Sequence, residues 1–192
     1  MALVTGGASC GKSTLAEALC MGLEGSRVYL AAMRPFGREG EERVKRHRAQ
    51  RAGKGFTTIE CYEDFGKVAE DPRIEGATVL LECLGNVVAN DLFDEGGPSG
   101  AACIADAVCS IGDRAGHLVV VSNEVGSDGV RYAVETHEYQ RVLGEVAQRV
   151  AQRCDIAVEC VGGCPIVLAA PGIDEIPESA LRMLGLAEGG AR

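Results

Sequence analysis

The segment Gly6-Gly7-Ala8-Ser9-Cys10-Gly11-Lys12-Ser13 constrains this chain more than any other. It fits G-x-x-x-x-G-K-[ST], with an apolar run before it that reads as a strand and a helical pattern after it, which is the context such a loop requires. The glycines let the backbone curl so that successive N–H groups face an anion, and the helix N-terminus adds partial positive charge. Lys12 is then placed to reach the β- and γ-phosphates of a nucleoside triphosphate, and Ser13 to hold Mg²⁺.

A strand that feeds a P-loop predicts an α/β sheet, and the rest of the chain keeps that alternation. Strands are expected over 2–5, 27–32, 78–84, 117–122, 155–161 and 165–169, and helices over 12–23, 37–52, 61–70, 101–113 and 137–153. The last helix carries Tyr139, Val142, Leu143, Val146 and Val150 on one stripe. Gly96, Gly97, Pro98 and Gly100 mark 94–100 as a loop. Only Gly162, Gly163 and Cys164 separate the final two strands, too few for a crossover helix, so the mainly parallel sheet should end in an antiparallel hairpin. With 192 residues, one domain is expected over 1–186, followed by a frayed tail at 187–192.

Composition bounds the partners. A net charge of −9 argues against a general nucleic-acid or anionic-membrane surface and points to small-molecule partners. The longest apolar runs are far below the roughly 20 residues of a spanning helix, so no membrane insertion is expected. Residues 1–5 already read as the first strand, so no secretory leader is expected ahead of them and the cytoplasm is the default location. Cys20, Cys83, Cys103, Cys109 and Cys154 sit singly in apolar patterns, where a thiol acts as a small hydrophobe. Cys160 and Cys164 lack the companions a zinc set needs.

Two further features bear on phosphate chemistry. Thr78-Val79-Leu80-Leu81-Glu82 is an apolar strand ending in an acid, which makes Glu82 the candidate carboxylate for Mg²⁺ or its water. Between Arg34 and Lys54 lie eight Lys/Arg and three Glu, the main charge contrast in an acidic chain. Arg43, His47 and Arg51 are spaced i, i+4, i+8, so a helix here presents all three on one face that could grip a triphosphate. A neutral imidazole in such a setting is a competent nucleophile at phosphorus, with Arg43, Arg48 or Arg51 balancing the developing charge. Taken alone, the residues favour a surface histidine on a solvated basic helix. His117 and His137 have no such setting and read as structural.

Several motifs resemble one family. They are Leu3-Val4-Thr5-Gly6-Gly7 with its P-loop, Arg43-Val44-x-x-His47-Arg48-x-x-Arg51, Phe56-x-Thr58-x-Glu60, Leu80-Leu81-Glu82-Cys83-Leu84, Asn90-Asp91-Leu92-Phe93 and Val121-Ser122-Asn123-Glu124-Val125-Gly126. In order and spacing the chain resembles the bifunctional adenosylcobinamide kinase and adenosylcobinamide-phosphate guanylyltransferase family of cobalamin biosynthesis. The resemblance implies a RecA-like P-loop NTPase fold, a homotrimer, and two reactions. A nucleoside triphosphate, ATP or GTP, phosphorylates adenosylcobinamide. GTP then guanylylates a histidine, from which the corrinoid phosphate takes GMP to give adenosylcobinamide-GDP. By the same matching, His47 is the nucleophile and Lys12 its catalytic companion in the P-loop. Residues Gly6, Gly7, Ala8, Ser9, Cys10, Gly11, Lys12 and Ser13 cradle nucleotide. Ala32, Met33, Arg34, the Arg48 to Arg51 segment, Glu60 and Glu82 fall where the family contacts GTP.

After Gly126 the chain departs from the family pattern. Gln140 and Glu145 replace arginines, Arg141 replaces an aspartate and Ala147 an asparagine. Two other readings therefore stand beside the bifunctional enzyme: a P-loop small-molecule kinase without guanylyltransferase activity, and a non-catalytic nucleotide-binding module.

Overall fold

The computed structural model describes residues 1–35, 37–93, 98–126 and 132–186, apart from the side chains of Glu39, Glu41, Arg43 and Gln50. In chain order the elements are β1 (Ala2–Thr5), α1 (Lys12–Met21), β2 (Arg27–Ala31), α2 (Gly37–Arg51), β3 (Phe56–Glu60), β4 (Thr78–Glu82), α3 (Leu84–Phe93), α4 (Ala101–Arg114), β5 (His117–Val121), α5 (Val134–Ala151), β6 (Ile156–Val161), β7 (Cys164–Ala169) and α6 (Glu178–Met183). The seven strands form one sheet in the order β3-β2-β4-β5-β1-β6-β7. All neighbours run parallel except β6 and β7, which form the expected antiparallel hairpin. The P-loop strand β1 is separated from the acid-bearing β4 by β5, the RecA-like arrangement.

Both faces of the sheet are covered, and strand alternation sorts side chains between them. Leu3, Val28, Leu30, Val79, Leu81 and Val120 pack on one side against the stripes of α3, α4 and α5. Val4, Tyr29, Leu80, Val119, Val121 and Val158 face α1 and α6 on the other. Every residue of β4 is buried, as a central parallel strand requires. The helix stripes follow the 3.6-residue period: Ile104, Ala105, Val108 and Ile111 on α4, and Val142, Leu143, Val146 and Val150 on α5.

Five elements differ from the sequence expectations. β3 lies at a sheet edge with only Ile59 buried, so its residues carry little apolar signal and its strand character comes from pairing with β2. The expected 61–70 helix is reduced to a 3₁₀ turn at Phe65–Glu70. There Cys61 still bonds to the Ala31 carbonyl, and Asp64 adopts φ 48, which no α-helix accommodates. The expected strand 78–84 stops at Glu82, because Leu84 opens the unanticipated α3, which buries Leu84, Val87 and Val88. α6 was also unanticipated. Cys103, expected among apolar packing, is exposed. Of the loop at 94–100, residues 94–97 lie outside the described residues, as does the tail at 187–192; 98–100 have no regular structure. Among the described residues no helix is long and apolar enough to cross a membrane.

Candidate functional site

Parallel strands end together, so the carboxyl edge of the sheet gathers the loops after β1, β2, β4 and β5, the usual location of ligands in open α/β sheets. A cavity of about 920 Å³ opens there, lined by the P-loop, Tyr29, Met33, Arg46, His47, Glu82, Asn123 and their neighbours. The P-loop backbone is curled at Gly6 (φ 149), Ser9 (φ 56) and Gly11 (φ 99), the last being the N-cap of α1. Lys12 is buried and donates to the Gly7 carbonyl at 2.8 Å, lying across the loop it belongs to.

Glu82 is the hub. Its side chain is only 6% exposed, and three groups converge on it. Ser13 Oγ donates to Oε1. Tyr29 OH donates to Oε2 at 3.2 Å. His47 Nδ1 lies 3.7 Å from Oε1. Burial alone would raise the pKa of this carboxyl, but the His47 ring and the Ser13 and Tyr29 hydroxyls outweigh it and hold the group below the usual glutamate value. The Ser13 hydroxyl and the Glu82 carboxylate, side by side at the cavity floor, are hard oxygen donors. They suit Mg²⁺, which takes one or two protein oxygens and fills its other positions with phosphate and water.

Of the expected Arg43, His47 and Arg51 face, His47 and Arg51 both turn inward, to Glu82 and to the Tyr29 ring that bonds it. Arg51 turns inward, 7% exposed, with its guanidinium carbon 3.3 Å from the Tyr29 ring centroid. Its Nη1 has no hydrogen-bond partner among the described residues. Arg48 pairs with Glu60 at 2.9 Å on the exposed outer side. The Arg43 side chain lies outside the described residues. Arg46 instead lines the cavity beside His47. The reason is positional: the C-terminal turn of α2 tucks over β2, so residue 51 packs on the sheet while residues 46 and 47 reach its carboxyl edge.

Of the other sequence candidates, Gly7, Ala8, Ser9, Cys10, Gly11 and Met33 line the cavity. Gly6 lies beneath the loop. Ala32 is buried, with its carbonyl accepting from Asn90 Nδ2 at 2.8 Å. Arg34 reaches the Tyr62 carbonyl at 3.2 Å, outside the cavity lining. His117 and His137 do not line it either. Sequence reasoning passed over Tyr29, Arg46, Asn86 and Asn123. Asn123 was within reach, since it follows β5 in the quoted 121–126 motif. Tyr29 gave no signal, because an aromatic inside a buried strand reads as core.

Among the departures on α5, the charge changes at Arg141 and Glu145 lie away from the cavity. Arg141 pairs with Glu138 at 2.7 Å and with Glu145 at 3.2 Å, and Glu145 also meets Arg149 at 3.1 Å, all at the surface. None of Gln140, Arg141, Glu145 and Ala147 lines the cavity. Gln140 packs against Gly126, where an added Cβ would meet its Nε2 at 2.5 Å.

The model of the family described as cobinamide kinase / cobinamide phosphate guanyltransferase matches residues 2–168. The bifunctional adenosylcobalamin biosynthesis protein CobU of Escherichia coli K12 is 30% identical over 164 residues, which is 79% of this chain and 90% of that protein. Its counterpart CobP of Pseudomonas aeruginosa is 28% identical over 167 residues, 86% of this chain and 95% of that one. Among solved structures, an ATPase of a type III secretion system of pathogenic bacteria matches with a TM-score of 0.45 and 15% identity, over 82% of this chain and 50% of that one.

Proposed function

We propose that this chain, which belongs to the cobinamide kinase / cobinamide phosphate guanyltransferase family, phosphorylates adenosylcobinamide with a nucleoside triphosphate and then transfers GMP from GTP, through His47, to give adenosylcobinamide-GDP. The observation that carries the reading is Glu82, which touches the P-loop through Ser13 and the basic helix through His47, so one cavity serves both chemistries.

In the first reaction the P-loop N–H groups and Lys12 hold the β- and γ-phosphates while the corrinoid hydroxyl attacks the γ-phosphorus and the nucleoside diphosphate leaves. Ser13 and Glu82 would hold Mg²⁺, which when bound neutralises charge on the phosphate oxygens. In the second, a hydrogen on Nδ1 directed at Glu82 leaves the Nε2 lone pair for the α-phosphorus of GTP. Pyrophosphate departs, and the corrinoid phosphate then displaces the histidine. Arg46 is the helix cation placed to offset charge growing on the α-phosphate.

The kinase-only reading is motivated by the altered α5, where Arg141 and Glu145 pair at the surface, Ala147 packs against the core and Gln140 packs against Gly126 at the cavity lining. Nine free cysteines fit a reducing cytoplasm. A homotrimer, as the resemblance implies, would have exposed apolar surface to cover at Val161, Ile166 and Leu168 on the terminal hairpin. The deciding experiment is mass spectrometry after incubation with GTP and Mg²⁺. A GMP adduct on His47 is expected; its absence, with cobinamide still phosphorylated, leaves the kinase alone.

A further inference from the structure

Cys10 occupies a variable position of the P-loop, and the structure places it against a second thiol. Cys160, on β6, is 1% exposed and points its Sγ at the Cys10 carbonyl, 3.3 Å away. The same carbonyl accepts the Gly163 N–H at 2.7 Å, so the β6–β7 turn is stitched to the loop. A Cβ built on Gly6 would lie 2.8 Å from Cys10 Sγ and 2.6 Å from the Cys160 carbonyl oxygen. Each thiol therefore lies against the backbone of the other cysteine beneath the loop. They differ in access: Cys10 lines the nucleotide cavity and is partly exposed, whereas Cys160 is sealed.

We propose that Cys10 and Cys160 form an oxidisable thiol pair, a modification site that a peroxide converts to a disulfide and that removes the P-loop from nucleotide. Peroxide first meets the accessible Cys10 sulfur. The O–O bond breaks, Cys10 becomes a sulfenic acid, and one water leaves. The Cys160 sulfur then attacks the Cys10 sulfur, the S–O bond breaks as S–S forms, and a second water carries off the remaining oxygen. The two thiols lose two electrons and the peroxide gains them; a dithiol reductant reverses the change by exchange.

Burial and the neighbouring Cys10 sulfur both keep the Cys160 thiol protonated in the reduced protein, so Cys160 acts as the resolving partner and not as the first target. The consequence for binding is geometric. Cys10 lies between Ser9 and Gly11, whose positive φ values give the loop its curl. A disulfide brings two sulfurs to about 2.05 Å, and β6 is held in the sheet by ladders to β1 and β7. The loop must give instead, and its anion-facing N–H groups turn with it.

The inference rests on the P-loop binding nucleotide, and the test separates the two. The full chain is exposed to hydrogen peroxide, alkylated and digested, while binding of a fluorescent GTP analogue is followed in parallel. The expected result is a peptide joining Cys10 to Cys160 that accumulates as binding falls at least ten-fold, with both reversed by dithiothreitol. Cys160→Ser, or Cys160→Ala should the serine variant fold poorly, is expected to bind like the parent and to keep its binding through the same exposure. Absence of the linked peptide, linkage without loss of binding, or equal loss in the Cys160 variants overturns the proposal. Failure of the reduced protein to bind the analogue overturns the nucleotide reading, while the linked peptide still reports on the thiol pair.

Discussion

Arg51 lays its guanidinium 3.3 Å over the ring of Tyr29, and the hydroxyl of that same ring donates to Glu82. The stack carries a buried cation on an aromatic face and fixes the height at which the hydroxyl meets the carboxylate. Tyr29→Phe removes one hydrogen bond to a charged group, of about 1.5–3 kcal/mol. Turnover should fall by about ten-fold or more in consequence, with the fold retained. Tyr29→Leu also takes the ring from beneath Arg51 and should destabilise the protein by about 2–4 kcal/mol. Urea unfolding of the two variants beside steady-state assays checks both, and equal stability losses would contradict the stack.

His47 and Ser13 share Glu82, so changes at these positions should separate the two reactions. His47→Asn is expected to leave no GMP adduct while cobinamide phosphorylation persists. Glu82→Gln, close in shape but uncharged, should depress both. A Glu82→Gln enzyme with full kinase activity would detach the carboxylate from the P-loop chemistry.

Arg46 and Arg48 are neighbours in sequence with opposite surroundings. Arg48 is tied to Glu60 outside the cavity, an exposed pair worth about 0–1 kcal/mol. Arg46→Ala should slow adduct formation by about a hundred-fold, with partial recovery in Arg46→Lys, whereas Arg48→Ala should stay within about two-fold. Single-turnover rates with labelled GTP distinguish them, and a larger effect at Arg48 would reverse the assignment.

Gly6 has φ 149, and any Cβ there would collide with the Cys160 carbonyl and Cys10 Sγ. Gly6→Ala should therefore abolish GTP binding and lower stability by about 1–3 kcal/mol. Calorimetric titration with scanning calorimetry tests this. Gly7→Ala, where nothing lies within 4 Å of the added carbon, is the steric control for stability.

Much of this protein was legible in its sequence. The P-loop follows from local glycine geometry, β4 and its terminal Glu82 from an unbroken apolar run, and the stripes of α4 and α5 from the helical period. These are signals a chain carries within ten or fifteen residues. What escaped depends on neighbours. β3 is a strand because β2 offers it a ladder, and α3 was hidden by apolar residues that continue the pattern of β4.

The site divides in the same way. Sequence alone identified a phosphate loop, an acid at a strand end and a histidine among cations, because each is a property of residue type and spacing. Only the tertiary structure decided which cation meets the cavity. Helical spacing fixes which side chains share a face but not what that face rests on. In the folded chain Arg51 is buried on Tyr29, Arg46 lines the cavity, and His47 meets a carboxylate 35 residues away along the chain.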